Sequence, residues 1–302
     1  FCVRIRPLSG SVLDERQQPD PVTGDNPPLV DGVSPISTTL TTTYGYDELG
    51  NKTSQTDAEG RTTHWEYDSM GRETARELPE GQRESKTYTI AGELDTVTDF
   101  NGQTSVYHYD DAGRLQSIDY PNDADVTFGY SDAGERTSAT DGRGESTTGY
   151  DDRGRMTRSV DADGGIIEYL YDGAGNLTAR ISPSQSLVYH YDARNRLETV
   201  TRTVDGEAPM TTTYSYDQDG NRSTMIGGDG TLTEYGYDRR HRLRSLVKTA
   251  ASGLLMLAMS YDVDASGMRT GITESDTQGT VRTVIYDYDA TKRLVEESID
   301  HR

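Results

Sequence analysis

Chemistry is first suggested by Tyr109-Asp110-Asp111-Ala112-Gly113-Arg114-Leu115, where a phenol, a carboxylate, a glycine and a guanidinium stand close together as in an active motif. Little else in the chain supports catalysis. The histidines are His64, His108, His190, His241 and His301. His108 and His190 both lie in Tyr-His-Tyr-Asp, in equivalent registers four units apart, and so are expected far from each other along the sheet, which argues against a metal pair. A serine nucleophile would need a Gly-x-Ser-x-Gly elbow between strand and helix, and none is present. Asp161-Ala162-Asp163-Gly164 and Asp217-Gln218-Asp219-Gly220-Asn221 begin like calcium loops but do not continue to a bidentate glutamate. Gly227-Gly228-Asp229-Gly230 resembles one calcium-roll nonapeptide without recurring. Turn chemistry accounts for all three. The single cysteine, Cys2, excludes an internal disulfide and a Cys-based zinc site. The expectation is no catalytic residue, no metal and no cofactor.

The motif is also not alone. Tyr-Asp-x-x-Gly-Arg/Asn recurs with tyrosines at 46, 67, 88, 109, 130, 150, 171, 191, 216, 237, 261 and 286, the first five each 21 residues apart. Full copies include Tyr46-Asp47 with Gly50, Tyr67-Asp68 with Gly71, Tyr109-Asp110 with Gly113 and Tyr150-Asp151 with Gly154. Tyr171-Asp172 with Gly175 and Tyr216-Asp217 with Gly220 continue the series. A period held this tightly marks a repeat architecture. One active site seldom needs twelve copies, whereas a wall does.

The elements that position the motif follow from its flanks. Two residues before the repeat tyrosine stands an aromatic in eight of twelve units: Tyr44, Trp65, Tyr107, Phe128, Tyr169, Tyr189, Tyr214 and Tyr235. That spacing places both rings on one face of a pleated strand, leaving His108 and His190 on the other. After the tyrosine, Asp suits the first position of a type I turn. Gly four residues on supplies the left-handed conformation that closes a bulged hairpin. Asn195 can adopt the same conformation in place of Gly. A second turn signal falls mid-period, as in Asp57-Ala58-Glu59-Gly60 and Asn101-Gly102. Each period is therefore two strands, and 24 strands at ~4.8 Å make a sheet on the order of 115 Å along the stacking direction. The predicted fold is all-β: tandem ~21-residue hairpin repeats stacked into a long curved or spiralling antiparallel sheet, part of a hollow shell. An open, curved strip is expected.

Composition fits such a wall. Leu, Ile, Val and Phe make up about 17% of the chain and the net charge is −21, values typical of disorder, yet twenty tyrosines are locked to the period. A wall lined by half-wet tyrosines reconciles the two. The acidity argues against nucleic-acid or anionic-membrane binding, and no run approaches the ~18 apolar residues of a spanning helix. Residues 1–36 hold six of the ten prolines and read as an irregular lead-in or linker. Residues 37–302 form the repeat domain, about twelve units, degenerate after about residue 200. The last units are expected to lose the turn glycine, with His241, Ala265 and Ala290 in its place. With neither Met nor a signal pattern at Phe1, the chain reads as a piece of a longer polypeptide.

These residues resemble the YD repeats of RHS-repeat proteins, a group that includes bacterial polymorphic toxins, toxin-complex cocoon subunits and teneurin ectodomains. The resemblance covers roughly residues 37 to 293. It implies a hairpin strip spiralling into a hollow shell. In bacterial members that shell encloses a C-terminal toxin or effector domain of the same polypeptide until delivery. It also implies a secreted or cell-surface protein working with a delivery apparatus. The Asp-Pro-x-Gly segment that precedes the toxin junction in many members is absent, so no self-cleaving aspartate is assigned.

Two function classes stay open. One is a structural shell segment that encloses an effector and has no catalysis of its own. The other is recognition of surface carbohydrate or protein, with Trp65, Tyr107, Tyr169 and Tyr189 stacking on sugars. A shell packs its rings between hairpins, whereas a glycan binder exposes them in a groove.

Overall fold

A computed structural model describes residues 38–301. The expected lead-in at 1–36 lies outside the described residues. Those described form 24 β-strands in a meander, each antiparallel to the next in sequence, with no helix among them. The meander runs from β1 (Thr38–Tyr46) and β2 (Lys52–Thr56) to β23 (Gly279–Tyr288) and β24 (Leu294–His301). Strands are short, five to seven residues each from β2 to β14 (Leu177–Ser182), because a turn signal interrupts the chain about every ten residues.

The sheet does not stay open. β1 pairs with β24 in continuous register, from Thr38 opposite His301 to Thr43 opposite Glu296. The expected open strip is thus corrected: the repeats close into a barrel, at least ~37 Å across at the backbone for 24 strands spaced ~4.8 Å. The physical cause lies at the corners. Each of the twelve repeat corners carries a register shift, where the return strand has one residue more than its partner. At the Tyr109 corner, Tyr109 faces Leu115 and His108 faces Ser117, so Gln116 is the extra residue. A bulge bends its strand and increases local twist. Repeated at one rim, always in the same sense, it adds curvature until the two ends meet. Closure also removes both sheet edges, which otherwise template association.

The barrel wall is one sheet thick and has no conventional core. Ala75, Ile118, Ala179, Thr233, Tyr261, Gly271 and Val284 are the buried residues among those described. Most strand residues, the ring ladder included, are half-buried.

In the last two units the register differs from the sequence expectation. The corner after β21 (Leu255–Val263) begins at Val263-Asp264, where the Asp264 N–H donates to the Met268 carbonyl at 2.9 Å. The final corner begins at Tyr288-Asp289, where the Asp289 N–H donates to the Arg293 carbonyl at 3.0 Å. Tyr261 and Tyr286 therefore occupy the upstream ring position, not the corner. The left-handed residue is Gly267 (φ 99°) in one and Lys292 (φ 67°) in the other, not Ala265 or Ala290; His241 (φ 59°) does replace the glycine in its own corner. Longer strands here displaced the turn by two residues, and Tyr-x-Tyr or Tyr-x-Val reads the same way in either register.

Closure can be tested by a crosslink. Thr41 and Ser298 face each other across the seam with hydroxyls 3.2 Å apart. Thr41→Cys with Ser298→Cys, in a Cys2→Ser background, should oxidise to a disulfide as readily as a control pair at Thr201 and Thr211, whose hydroxyls are 2.9 Å apart. Chain entropy puts the stabilisation at up to about 5 kcal/mol, read as a rise in Tm lost on reduction. A seam pair that stays reduced while the control oxidises means the seam is open.

Candidate functional site

One rim of the barrel carries the twelve repeat corners, and most are built from the motif residues alone. In the Tyr109 corner the Gly113 N–H donates to the Asp110 carbonyl, and the Asp110 N–H to the Arg114 carbonyl, both at 2.9 Å. Gly113 stands at φ 73°, where a side chain is disfavoured. The Asp110 carboxylate accepts the Ala112 and Arg114 backbone N–H groups through Oδ1, each at 2.9 Å. Its Oδ2 accepts Arg114 Nε at 2.7 Å. The carboxylate, guanidinium and glycine that suggested a site hold one another in a turn. Asp68, Asp151, Asp192, Asp238 and Asp289 pair in the same way with the arginine four residues on. Asn51, Asn176 and Asn221 replace that arginine and donate Nδ2 to Asp47, Asp172 and Asp217.

Two corners invert the arrangement. Thr89 and Ser131 replace the aspartate, and Glu93 and Glu135 replace the arginine; each hydroxyl donates to the glutamate carboxylate. Every such corner keeps one carboxylate and moves it to the other side of the turn. The sequence signal was present, since Glu follows the turn glycine in the two units where Thr or Ser follows the tyrosine.

Neighbouring corners are joined by the tyrosine. Tyr109 Oη donates to the Leu94 carbonyl at 2.9 Å, and Tyr130 Oη to the Leu115 carbonyl at 2.7 Å. The acceptor lies six residues past the preceding corner tyrosine, immediately before the bulged residue, where the ladder is disrupted. Ten corner tyrosines make this bond, from Tyr46 to Tyr288. The corner arginine then covers the next tyrosine ring: Arg72 over Tyr88, Arg155 over Tyr171 and Arg196 over Tyr216, each with Cζ 4.4 Å from the centroid. The inter-corner ladder crosses the seam unchanged. Tyr46 Oη donates to the Leu294 carbonyl at 2.8 Å, and Arg293 lies 4.9 Å over the Tyr46 ring. Arg293 Nη1 also donates to the Asp47 carbonyl at 3.0 Å.

Corner aspartates are held in their charged form. The Arg155 side chain, followed by its backbone N–H, holds Asp151 below the ordinary 3.8 of an aspartate, and Arg196 does the same for Asp192. Backbone N–H donation from Arg72 and Arg114 leads for Asp68 and Asp110. A carboxylate whose pKa is lower folded than unfolded stabilises the fold above the unfolded value, and that stability is lost as pH falls through the folded value. The fold should therefore be insensitive from neutral pH down to about 4 and lose stability cooperatively below it. Circular dichroism against pH checks this, with Asp110→Asn flattening its share; a constant Tm to pH 2 would contradict it.

The rings singled out for sugar stacking lie elsewhere on the strands. Trp65, Tyr107, Tyr169 and Tyr189 are half-buried on the ring face, and Lys52 Nζ sits 3.8 Å from the Trp65 centroid. They are spread around the wall and form no single groove. His108 is exposed on the opposite face, with Nε2 3.0 Å from Asp119 Oδ2.

Comparison with known proteins follows this geometry. The family model described as RHS Repeat matches residues 46–83, 109–147, 130–166, 150–187 and 171–208, and each match begins on a corner tyrosine. The chain carries RHS repeats over these residues. No curated protein matches it. Among solved structures it resembles the crystal structure of TcdB2-TccC3-Cdc42, with 16% identity and a TM-score of 0.53. It also resembles the Photorhabdus luminescens Tc holotoxin pore carrying a TccC3 mutation, with 17% identity and a TM-score of 0.53. In both cases 84% of this chain is covered but only 15% of the other, so the RHS chain spans about a seventh of the length of those proteins. The likeness is one of fold: stacked hairpin repeats forming a shell wall.

Proposed function

We propose that this RHS-repeat chain is a wall segment of a shell that encloses, and helps to deliver, a C-terminal toxin or effector domain of the same longer polypeptide. The wall carries no catalysis of its own. The parent protein is secreted or displayed at the cell surface, where a delivery apparatus engages it. The observation that carries this reading is the inter-corner ladder, in which ten of the twelve corners donate a tyrosine hydroxyl to the preceding unit and the last corner is joined to the first through Tyr46, Leu294 and Arg293. Motif residues spent on holding corners together make a barrier, and a barrier is what enclosure requires. One related fold comes from an assembly whose name joins TcdB2 to TccC3, and another from a Tc holotoxin pore carrying a TccC3 mutation. A net charge of −21 disfavours nucleic acid as a partner. The five- to seven-residue strands from β2 to β14 are also shorter than the ~9–11 residues of a membrane-spanning strand. Sugar stacking needs open ring faces, and Lys52 over Trp65 favours the wall instead.

Limited proteolysis of the longer polypeptide tests the proposal. The effector should resist protease until the shell unfolds, then be cleaved at the rate of the isolated domain. Cleavage at that rate under native conditions would refute enclosure.

A further inference from the structure

Eleven of the twelve corners begin with tyrosine, and the exception, Val263, leaves a site. At the other corners a tyrosine ring lies beside the preceding unit, and ten of the hydroxyls donate to the carbonyl six residues past the preceding corner residue. For this corner that carbonyl belongs to Leu243, six past Tyr237. Valine has no hydroxyl to offer it and no ring to lie over Arg242. What results is an open cleft of about 340 Å³, lined by Arg242, Leu243, Val263, Arg269, Tyr286 and Tyr288 together with Gly267. Its volume is at the lower end for small-ligand sites.

We propose that this cleft binds a phenol ring, which takes up the contacts the missing tyrosine makes elsewhere. The receiving groups are already held in place. Arg242 Nε pairs with Asp238 Oδ2 at 2.7 Å, and Arg242 Nη1 donates to the Asp264 carbonyl at 2.9 Å. That presents the guanidinium face as Arg155 and Arg196 present theirs to Tyr171 and Tyr216. On the far side, Tyr288 is fixed by donating to the Arg269 carbonyl at 2.7 Å, and that bond is exposed whereas the other nine are part-buried. A ring entering here stacks on Arg242, touches Val263, and directs its hydroxyl at the Leu243 carbonyl. The ligand chemistry is that of a tyrosine side chain on an extended peptide or of a free phenol.

The test is an NMR titration of the full chain with p-cresol, following the Val263 methyl groups. Binding with a Kd of about 1 mM is expected for so few atoms. Toluene, lacking the hydroxyl, should bind about tenfold more weakly. Val263→Tyr should abolish the shifts and raise Tm, because it supplies the ring from within. Val263→Leu, a milder filling, should weaken binding if the tyrosine variant does not fold. Shifts with p-cresol and also with an acetylated Ala-Tyr-Ala amide support a site open to tyrosine on a polypeptide; shifts with p-cresol alone support a site for free phenols. No shift from either, equal affinity for toluene, or undiminished binding by a folded Val263→Tyr overturns the proposal.

Discussion

Ending the chain after Arg293, which deletes β24, will convert a barrel into an open sheet that no longer unfolds as one cooperative, monomeric unit. β24 pairs with β23 at seven positions and with β1 at six. At a net 0.5–1.5 kcal/mol per hydrogen bond, losing both ladders removes several kcal/mol, a large share of the ~5–15 kcal/mol typical of a domain. The deletion also exposes β1 and β23, nine and ten residues long, as unpaired edges. Long bare edges recruit other chains. Light scattering and size-exclusion chromatography should show association, and the thermal transition should broaden or disappear. Tyr46→Phe is the matched control: it removes one hydroxyl bond to the Leu294 carbonyl and should cost only about 1 kcal/mol, without association. If the shortened chain is monomeric and melts at the parent temperature, the seam is not a structural contact.

The second large effect is expected at the corner itself, and its sign reverses between two positions. Gly113 has φ 73°, and Glu93 Oε1 lies 3.4 Å from where a Cβ would stand. Gly113→Val forces a β-branched residue into the left-handed region and should cost about 2 kcal/mol or more. Lys292 occupies the equivalent place in the last corner at φ 67°. Lys292→Gly relieves a non-glycine residue of that conformation and should stabilise by up to about 1 kcal/mol. Urea denaturation of both variants decides the matter. A neutral Gly113→Val would mean that the corner can take another turn type, and the repeat would lose its structural rationale.

Much of the architecture was legible because the information is local. Asp110 bonds to residues two and four positions on, and Gly113 is needed within the same turn, so a single copy of the motif specifies its hairpin. Repetition at 21 residues then implies stacking, and the ring positions Tyr107 and Tyr109 follow from strand pleat. Legibility failed where the period loosened. At Val263 and Tyr288 the sequence offers two registers two residues apart, both placing a large side chain on the same face, and hydrogen bonds chose between them. The exchange of carboxylate between Thr89–Glu93 and Asp110–Arg114 was visible as residue types but acquires meaning only once their side chains meet.

The amino-acid sequence alone determined the hairpin repeat, the strand number and the composition of the corners from Tyr46 to Tyr237, because those depend on contacts within a few residues. Only the tertiary structure decided that the wall closes, that ten corner tyrosines serve a neighbour's carbonyl, and that Val263 leaves a cleft. Closure joins Thr41 to Ser298, 257 residues apart, and depends on curvature summed over twelve bulges. No single repeat encodes that sum. The corner that first suggested an active site supplies the curvature, and the arrangement of corners around the ring supplies the function.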